Sequence, residues 1–205
     1  MIERADMSRP QPDRPAQKRQ VGRPQRSRQE LLDAAAAVFV DSGVDAPVRE
    51  IAARAGVGMG TLYRHFPTRA ELVVAVYRHQ VEACAEAGPR LLAESADPQT
   101  ALRAWVAMFV DFLVTKHGLP DALGGDDAGS SALHQYFVDR LVPVCGSLLD
   151  AATAGVGQPA EARNLDGYNL LKGIGNLCIG AAGDPAYAAD ELVQTLVTGA
   201  LAPRS

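Results

Sequence analysis

Hydrophobic and polar positions along this chain alternate with a helical rather than a strand period. After Ser27, the residues Leu31, Leu32, Ala35 and Phe39 fall on one side of a helix. Ser27 and Glu30 have the spacing of a reciprocal capping box, and the helix should stop near Ser42-Gly43. A second short helix is predicted over 48–54, its start restricted by Pro47, with Asp45 as a possible local cap. Ala55-Gly56-Val57 then forms a tight turn, because glycine enters the left-handed region at little steric cost. A third helix follows, turning Val57, Leu62 and Phe66 inward, with Ile51 and Leu62 packing across the bend. Pro67 ends that helix. Thr68 and Glu71 form a second capping box and start a fourth helix at Arg69.

Beyond residue 80 the pattern stays mainly helical. An apolar segment covers 101–114, bounded by Pro98 and Gly118, and a Gly-, Asp- and Ser-rich loop is expected over 118–131. Helices are predicted over 132–153, 161–181 and 186–200. No fixed-period repeat is present, and alternating strand patterns are weak. The fold class is therefore all-α. The expected organisation is a flexible basic arm over 1–25, a helix-turn-helix head over 26–80 and a larger helical body over 81–205.

Composition refines this picture. With 47% apolar residues, the 205-residue chain can bury a sizeable core. No apolar run approaches the roughly 18 residues of a membrane span. The charged N-terminus lacks an apolar signal region, so a cytoplasmic protein without membrane association is expected. Cys84, Cys145 and Cys178 lie far apart and read as buried free thiols. The net charge of −4 is unevenly divided. Residues 1–80 hold 13 Lys and Arg against 9 Asp and Glu (+4), whereas 81–205 hold 7 against 15 (−8). An acidic body repels a phosphate backbone, so the favoured arrangement is end-on, with the first segment on DNA.

The third predicted helix carries the chemistry. Met59 and Tyr63 are one helical repeat apart, as are Gly60 and Arg64, and the two sides adjoin opposite Leu62. Gly60 permits close backbone approach, Met59 fits a thymine methyl, and Arg64 reaches either a base edge or a phosphate. Thr61, Tyr63 and His65 can donate to phosphate oxygens, with Arg69 at the positive start of the next helix. The plainer reading is that Tyr63 and His65 flank a small core. Lys18, Arg19, Arg23, Arg26 and Arg28 form a basic arm, bent by Gly22 and Pro24. It can follow phosphates or place Arg23 in a minor groove, or it is a solubilising tail.

GRP at 22–24, ELLDAAAAVFVDSG at 30–43, VREIAARAGVGMGTLYRHF at 48–66 and AELVVAVY at 70–77 resemble the N-terminal domain of TetR-family transcriptional regulators. The resemblance implies an all-helical homodimer whose third helix reads a double-stranded operator, and a C-terminal domain that often binds a small-molecule effector. It implies phosphate positioning by Thr61, Tyr63 and His65, a reading surface at Met59 and Gly60, and a phosphate clamp at Arg69. Three positions depart from the family. Pro47 and Gly58 stand where Ser or Thr is common, so Gly58 opens the reading helix without a side-chain cap. Arg69 replaces a usual lysine and changes donor geometry. VTKHGLPDAL at 114–123 gives the body a resemblance to the SbtR-like subgroup.

The late helices are the dimer candidates, since Gly167, Gly173, Gly175, Gly180 and Ala181 allow close approach while Leu192, Val193, Leu196 and Val197 supply a dry centre. Ordinary intrachain packing is the alternative. Trp105, Met108, Phe109 and Phe112, with His134, Tyr136 and Phe137, can line an apolar cavity, to which Tyr168, Asn169 and Asn176 add polar contacts. Each can equally be core or interface. The functional expectation is a ligand-released homodimeric repressor on a palindromic operator. The alternatives are a helical protein-binding adaptor and, less favoured, an enzyme. His65, His79, His117 and His134 show no metal spacing, and GGDDAG at 124–129 lacks the order of a calcium loop. No catalytic motif, metal or cofactor is predicted.

Overall fold

The computed structural model describes residues 27–124, 127–154 and 165–202, apart from 180, 182, 183 and 185. The described residues form helices and connecting turns, without a strand. Four helices build the first part: α1 (Arg28–Ser42), α2 (Val48–Ala55), α3 (Met59–His65) and α4 (Arg69–Glu94). Four more build the rest: α5 (Pro98–Ala122), α6 (Asp127–Thr153), α7 (Gly167–Ile179) and α8 (Ala189–Leu201).

The Ser27–Glu30 capping box starts α1 as the sequence predicts, and Thr68 caps α4 with its own half of the second box. Ser27 Oγ accepts from the Glu30 amide at 3.2 Å while Glu30 Oε2 accepts from the Ser27 amide at 2.7 Å. Thr68 Oγ1 accepts from the Glu71 amide at 3.1 Å. Gly43 closes α1 at φ 77°, with its amide donating to Phe39 O at 2.8 Å. Pro47 precedes α2 without any side-chain cap, so Asp45 does not cap it; the turn is held by the Glu50 amide on Pro47 O at 2.9 Å.

The α4 helix crosses the expected boundary at residue 80 without interruption. Its buried stripe begins with Leu72, Val73 and Val76 in the head segment and continues with Tyr77, Val81, Cys84 and Gly88, Tyr77 already packing on the body. Here α4 packs on α5 and α6. At Gly88 an added Cβ would lie 2.3 Å from Val144 Cγ1, so only glycine lets the two long helices cross this closely. Aromatic rings fill the centre. Trp105 stacks on Phe109 at 5.7 Å, Phe112 meets Tyr77 at 5.2 Å, and Phe137 of α6 stacks on both Phe109 and Phe112. The Trp105 indole donates to Cys84 O at 2.7 Å, and burial pushes the Cys84 thiol up to about 12. On the rim, Glu82 of α4 receives Arg140 Nε at 2.9 Å and the Tyr136 hydroxyl of α6, and the Arg140 bonds hold its carboxyl below the usual range.

Two loop expectations are corrected. The predicted loop over 118–131 shrinks to a short break, because α5 continues to Ala122 and α6 starts at Asp127. The reason is tertiary. Val44 of the α1–α2 loop fills the space beside Gly118, where an added Cβ would meet its Cγ2 at 2.0 Å and its Cβ at 2.9 Å. Packing there overrides the helix-breaking tendency of glycine. Only at Gly124, φ 61°, does the chain turn away. The segment over 101–114 likewise extends back to Pro98, started by Asp97, whose carboxylate accepts from the Thr100 amide and hydroxyl at 2.8 Å each. The helix predicted over 161–181 is Gly167–Ile179, with 161–164 and 180 outside the described residues. The last predicted helix lies at Ala189–Leu201.

Arg69 ties the head to itself. Its half-buried guanidinium donates to Val44 O, and both terminal nitrogens reach Ala46 O at 3.0 Å. The start of α4 is thus strapped to the same loop that carries Val44. Replacing Arg69 by Met keeps the stem and leaves two carbonyls without this donor. Chemical denaturation should show a loss of about 1.5–3 kcal/mol. Gly167 supplies a second stability test. An added Cβ would sit 2.7 Å from the Gly146 amide nitrogen and 2.9 Å from Val142 O, both backbone atoms of α6. Gly167→Ala should cost about 1–3 kcal/mol by wedging α6 from α7, whereas exposed Gly60→Ala, with open space around it, should leave the melting temperature unlowered.

Candidate nucleic-acid interface

The turn between α2 and α3 is built by the left-handed Gly56, at φ 68° and ψ 30°. Its amide donates to Ala53 O at 3.0 Å and the Val57 amide to Ala52 O at 3.0 Å, the paired bonds of a Schellman stop. This sharp closure sets α3 across α2. Ile51 and Leu62 are both buried on the inner side, and Phe66 closes the head from below with Val57 half-buried. Arg28 lies outside the expected basic arm: it is the first residue of α1, its guanidinium 5.0 Å above the Phe66 ring.

The opposite side of α3 is left to solvent. Met59 is 37% and Tyr63 47% exposed, and Gly60 and Arg64 share that exposed face. Nothing stands within 4 Å of a Cβ built on Gly60 or on Gly58, which precedes α3 without a side-chain cap. Thr61 and His65 are half-buried at the edges of the same helix. The structure therefore brings Gly58, Met59, Gly60, Thr61, Tyr63, Arg64 and His65 to one end of the molecule. Arg69 departs from its expected place: its guanidinium is spent on the α1–α2 loop carbonyls and not presented with them. Arg23 and Arg26, with Lys18 and Arg19, lie outside the described residues.

The second candidate site is a pocket of about 190 Å³ between α5, α6 and α7. Of the predicted members, Phe109, His134, Phe137, Tyr168 and Asn176 line it. Trp105, Met108 and Phe112 do not. Trp105 and Phe112 are buried towards α4, on Cys84 O and Tyr77, and the Met108 carbonyl faces the Cys84 thiol. Sequence reasoning missed Leu113, Lys116 and His117 on α5, and Leu171, Lys172, Gly175 and Ile179 on α7. Helical register carried the signal: positions 113, 116 and 117 continue the face of Phe109, and 171, 172, 175, 176 and 179 that of Tyr168.

Burial, with no compensating anion, lowers the affinity of these basic groups for protons. Desolvation pulls the Lys116 ammonium down. The same cause, then the Lys116 charge, depresses His117; burial, then Lys116 and Lys172, depresses His134. Lys116 lies 5.3 Å over the Phe137 ring and Lys172 5.6 Å over Tyr168. Among the described residues no group of three or more His, Cys, Asp or Glu is placed to hold a metal ion, and no helix is long and apolar enough to cross a membrane.

Residues 31–76 match the family model described as bacterial regulatory proteins, tetR family. Over 87 residues the chain is 41% identical to the HTH-type transcriptional activator FasR of Mycolicibacterium smegmatis, covering 42% of this chain and 40% of that protein. Over 90 residues it is 37% identical to the HTH-type transcriptional repressor LfrR of the same organism, covering 44% and 47%. The chain thus spans less than half the length of these curated relatives. The crystal structure of the TetR transcriptional regulator SCO0520 from Streptomyces coelicolor is similar over 87% of this chain and 100% of that one, at 33% identity and a TM-score of 0.69. Matched at that identity over the whole of that structure, the chain belongs to the TetR family of bacterial transcriptional regulators.

Proposed function

We propose that this protein is a sequence-specific DNA-binding regulator that acts as a homodimeric, ligand-released repressor on a palindromic operator. The observation that carries this reading is the exposed Met59–Gly60–Tyr63–Arg64 face, held rigidly by buried Leu62 and the left-handed Gly56. A rod this slender, with one open glycine, fits a major groove. Met59 and Gly60 meet base edges, Arg64 takes a base edge or a phosphate, and Thr61, Tyr63, His65 and the backbone at Gly58 lie along the phosphates. Arg69 acts indirectly, by positioning the loop beneath the reading helix. Arg23 of the arm over 1–25, and Arg26 just after it, add affinity without base choice. The head over 26–80 and the body over 81–205 divide these tasks while sharing α4.

One small head reads few bases, so two heads joined by symmetry supply the specificity. The dimer surface is narrower than the small residues suggest. Gly167 is used against α6 and Gly173 against Leu196, both within the chain. The outer face of α8, with Leu192 40% exposed and Gly199 beside it, is open to a partner copy. The VTKHGLPDAL stretch supports an SbtR-like body.

Release follows from two physical links between pocket and head. Tyr77 of α4 donates its hydroxyl to Leu133 O at 2.9 Å, one residue before His134 of the pocket. Val44 of the head loop rests on Gly118, directly after Lys116 and His117. An effector that prefers one spacing of α5, α6 and α7 shifts both links and thus the separation of the heads. Occupancy alone does nothing; the ligand must favour one state.

Selection of native genomic fragments by the purified full chain, followed by footprinting and mass measurement of the complex, should yield a duplex with two symmetric half-sites and two chains bound. Met59→Ala should change the preferred bases, and Tyr63→Phe should weaken all duplexes alike without lowering thermal stability. Failure to enrich any duplex at low or moderate salt would refute the reading, and stimulated transcription in a purified assay would reject repression. Gly118→Ala tests the coupling separately. Its methyl group displaces Val44, and affinity for the selected duplex should fall by about fivefold or more with α3 itself untouched.

A further inference from the structure

We propose that the pocket between α5, α6 and α7 takes an anionic amphiphile, a carboxylate on an apolar body of about ten non-hydrogen atoms, with its charge held between Lys116, Lys172 and His134. The inference names the effector class for the ligand-released regulator described above and rests on that reading.

The charge of the lining points to an anion. Two ammonium groups and two imidazoles converge on one cavity, and none of the described residues lining it carries a carboxylate. Among the described residues neither lysine forms an ion pair; each rests on an aromatic face instead, Lys116 on Phe137 and Lys172 on Tyr168. The two sit on different helices, α5 and α7, and both charges are felt at His134 on α6. A half-buried ammonium without a counter-ion is an unsatisfied charge, and a ligand carboxylate supplies what the chain omits. Burial also lowers the proton affinity of Lys116, the direction expected of an ammonium without a counter-ion.

The remaining walls set the body of the ligand. Phe109, Leu113, Phe137 and Leu171 are buried and apolar, so the tail enters hydrocarbon surroundings. Exposed Ile179 and Tyr168 mark the mouth. A cavity near 150 Å³ accommodates benzene, so the pocket's 190 Å³ suits a short chain or a single ring with an acid arm. A cation of the same shape meets two ammonium groups. A neutral amide keeps the hydrogen bonds but leaves the charges uncompensated.

Calorimetric titration of the full chain with octanoate, octanamide and octylammonium at neutral pH tests this directly. Octanoate should bind about tenfold or more tightly than octanamide, and octylammonium should not bind detectably. Lys116→Met should bring octanoate down towards the level of octanamide and cost octanamide far less, and the exposed-site variant Lys172→Gln should weaken octanoate more than octanamide. Equal binding of the three probes, indifference of octanoate to both substitutions, or no octanoate binding by folded protein overturns the inference. Duplex binding measured in parallel separates the two readings. A chain that selects its duplex but binds no probe loses only the anionic-ligand proposal. A chain that binds octanoate as stated, yet holds its duplex unchanged, keeps the pocket chemistry and loses ligand release.

Discussion

Everything in this molecule hangs on α4 being one uninterrupted helix with two cores along it. Its first turns bury Leu72, Val73 and Val76 in the head, and its later turns lie under α5 and α6 through Tyr77, Val81, Cys84 and Gly88. No proline interrupts it between Arg69 and Gly88, so the head joins the body through continuous helix and not through a flexible linker. Relative movement of head and body therefore requires α4 to tilt as a rod, and any tilt disturbs both cores together. That restriction favours two discrete arrangements over a continuum, as close-packed interfaces generally do.

The head is stable without its reading face. Capping at Ser27 and Thr68, the Schellman turn at Gly56 and the Arg69 strap all lie behind or beside α3, and only Leu62 of that helix is buried in the core. Met59, Gly60, Tyr63 and Arg64 are thereby free to be chosen for a partner rather than for folding. Leaving Met59 and Tyr63 in water costs apolar exposure that a groove-lining contact recovers. The acidic excess of residues 81–205 acts in the same direction, because it disfavours any approach to a polyanion except through the head.

The head was legible because its determinants are local. Ser27 with Glu30, Thr68 with Glu71, and Gly56 between two apolar faces each act within a few residues, so spacing alone specifies them. The body was less so because its determinants are tertiary. Gly118 reads as a helix end until Val44 is seen occupying its open side, and Arg69 reads as a phosphate clamp until the Val44 and Ala46 carbonyls are placed beside it. The pocket shows the same limit. Aromatic residues drew attention to Trp105 and Phe112, whose rings are consumed by packing on α4, whereas the polar lining came from Lys116, His117 and Lys172, which only helical register connects to Phe109 and Tyr168.

The two links between pocket and head differ in physical character, and that difference decides what each can transmit. Tyr77 Oη to Leu133 O is a buried, directional bond whose loss leaves a buried hydroxyl unsatisfied, so it resists separation of α4 from α6. Val44 on Gly118 is a steric contact that resists approach but not withdrawal. A ligand that draws α5 towards α7 can relax the second without breaking the first. In the proposed release mechanism the head then turns about the Tyr77 anchor as the loop strapped by Arg69 comes off α5. The Tyr77 end of the head's segment of α4 is the pivot in that mechanism, and the α1–α2 loop is the arm that carries α2 and the reading helix.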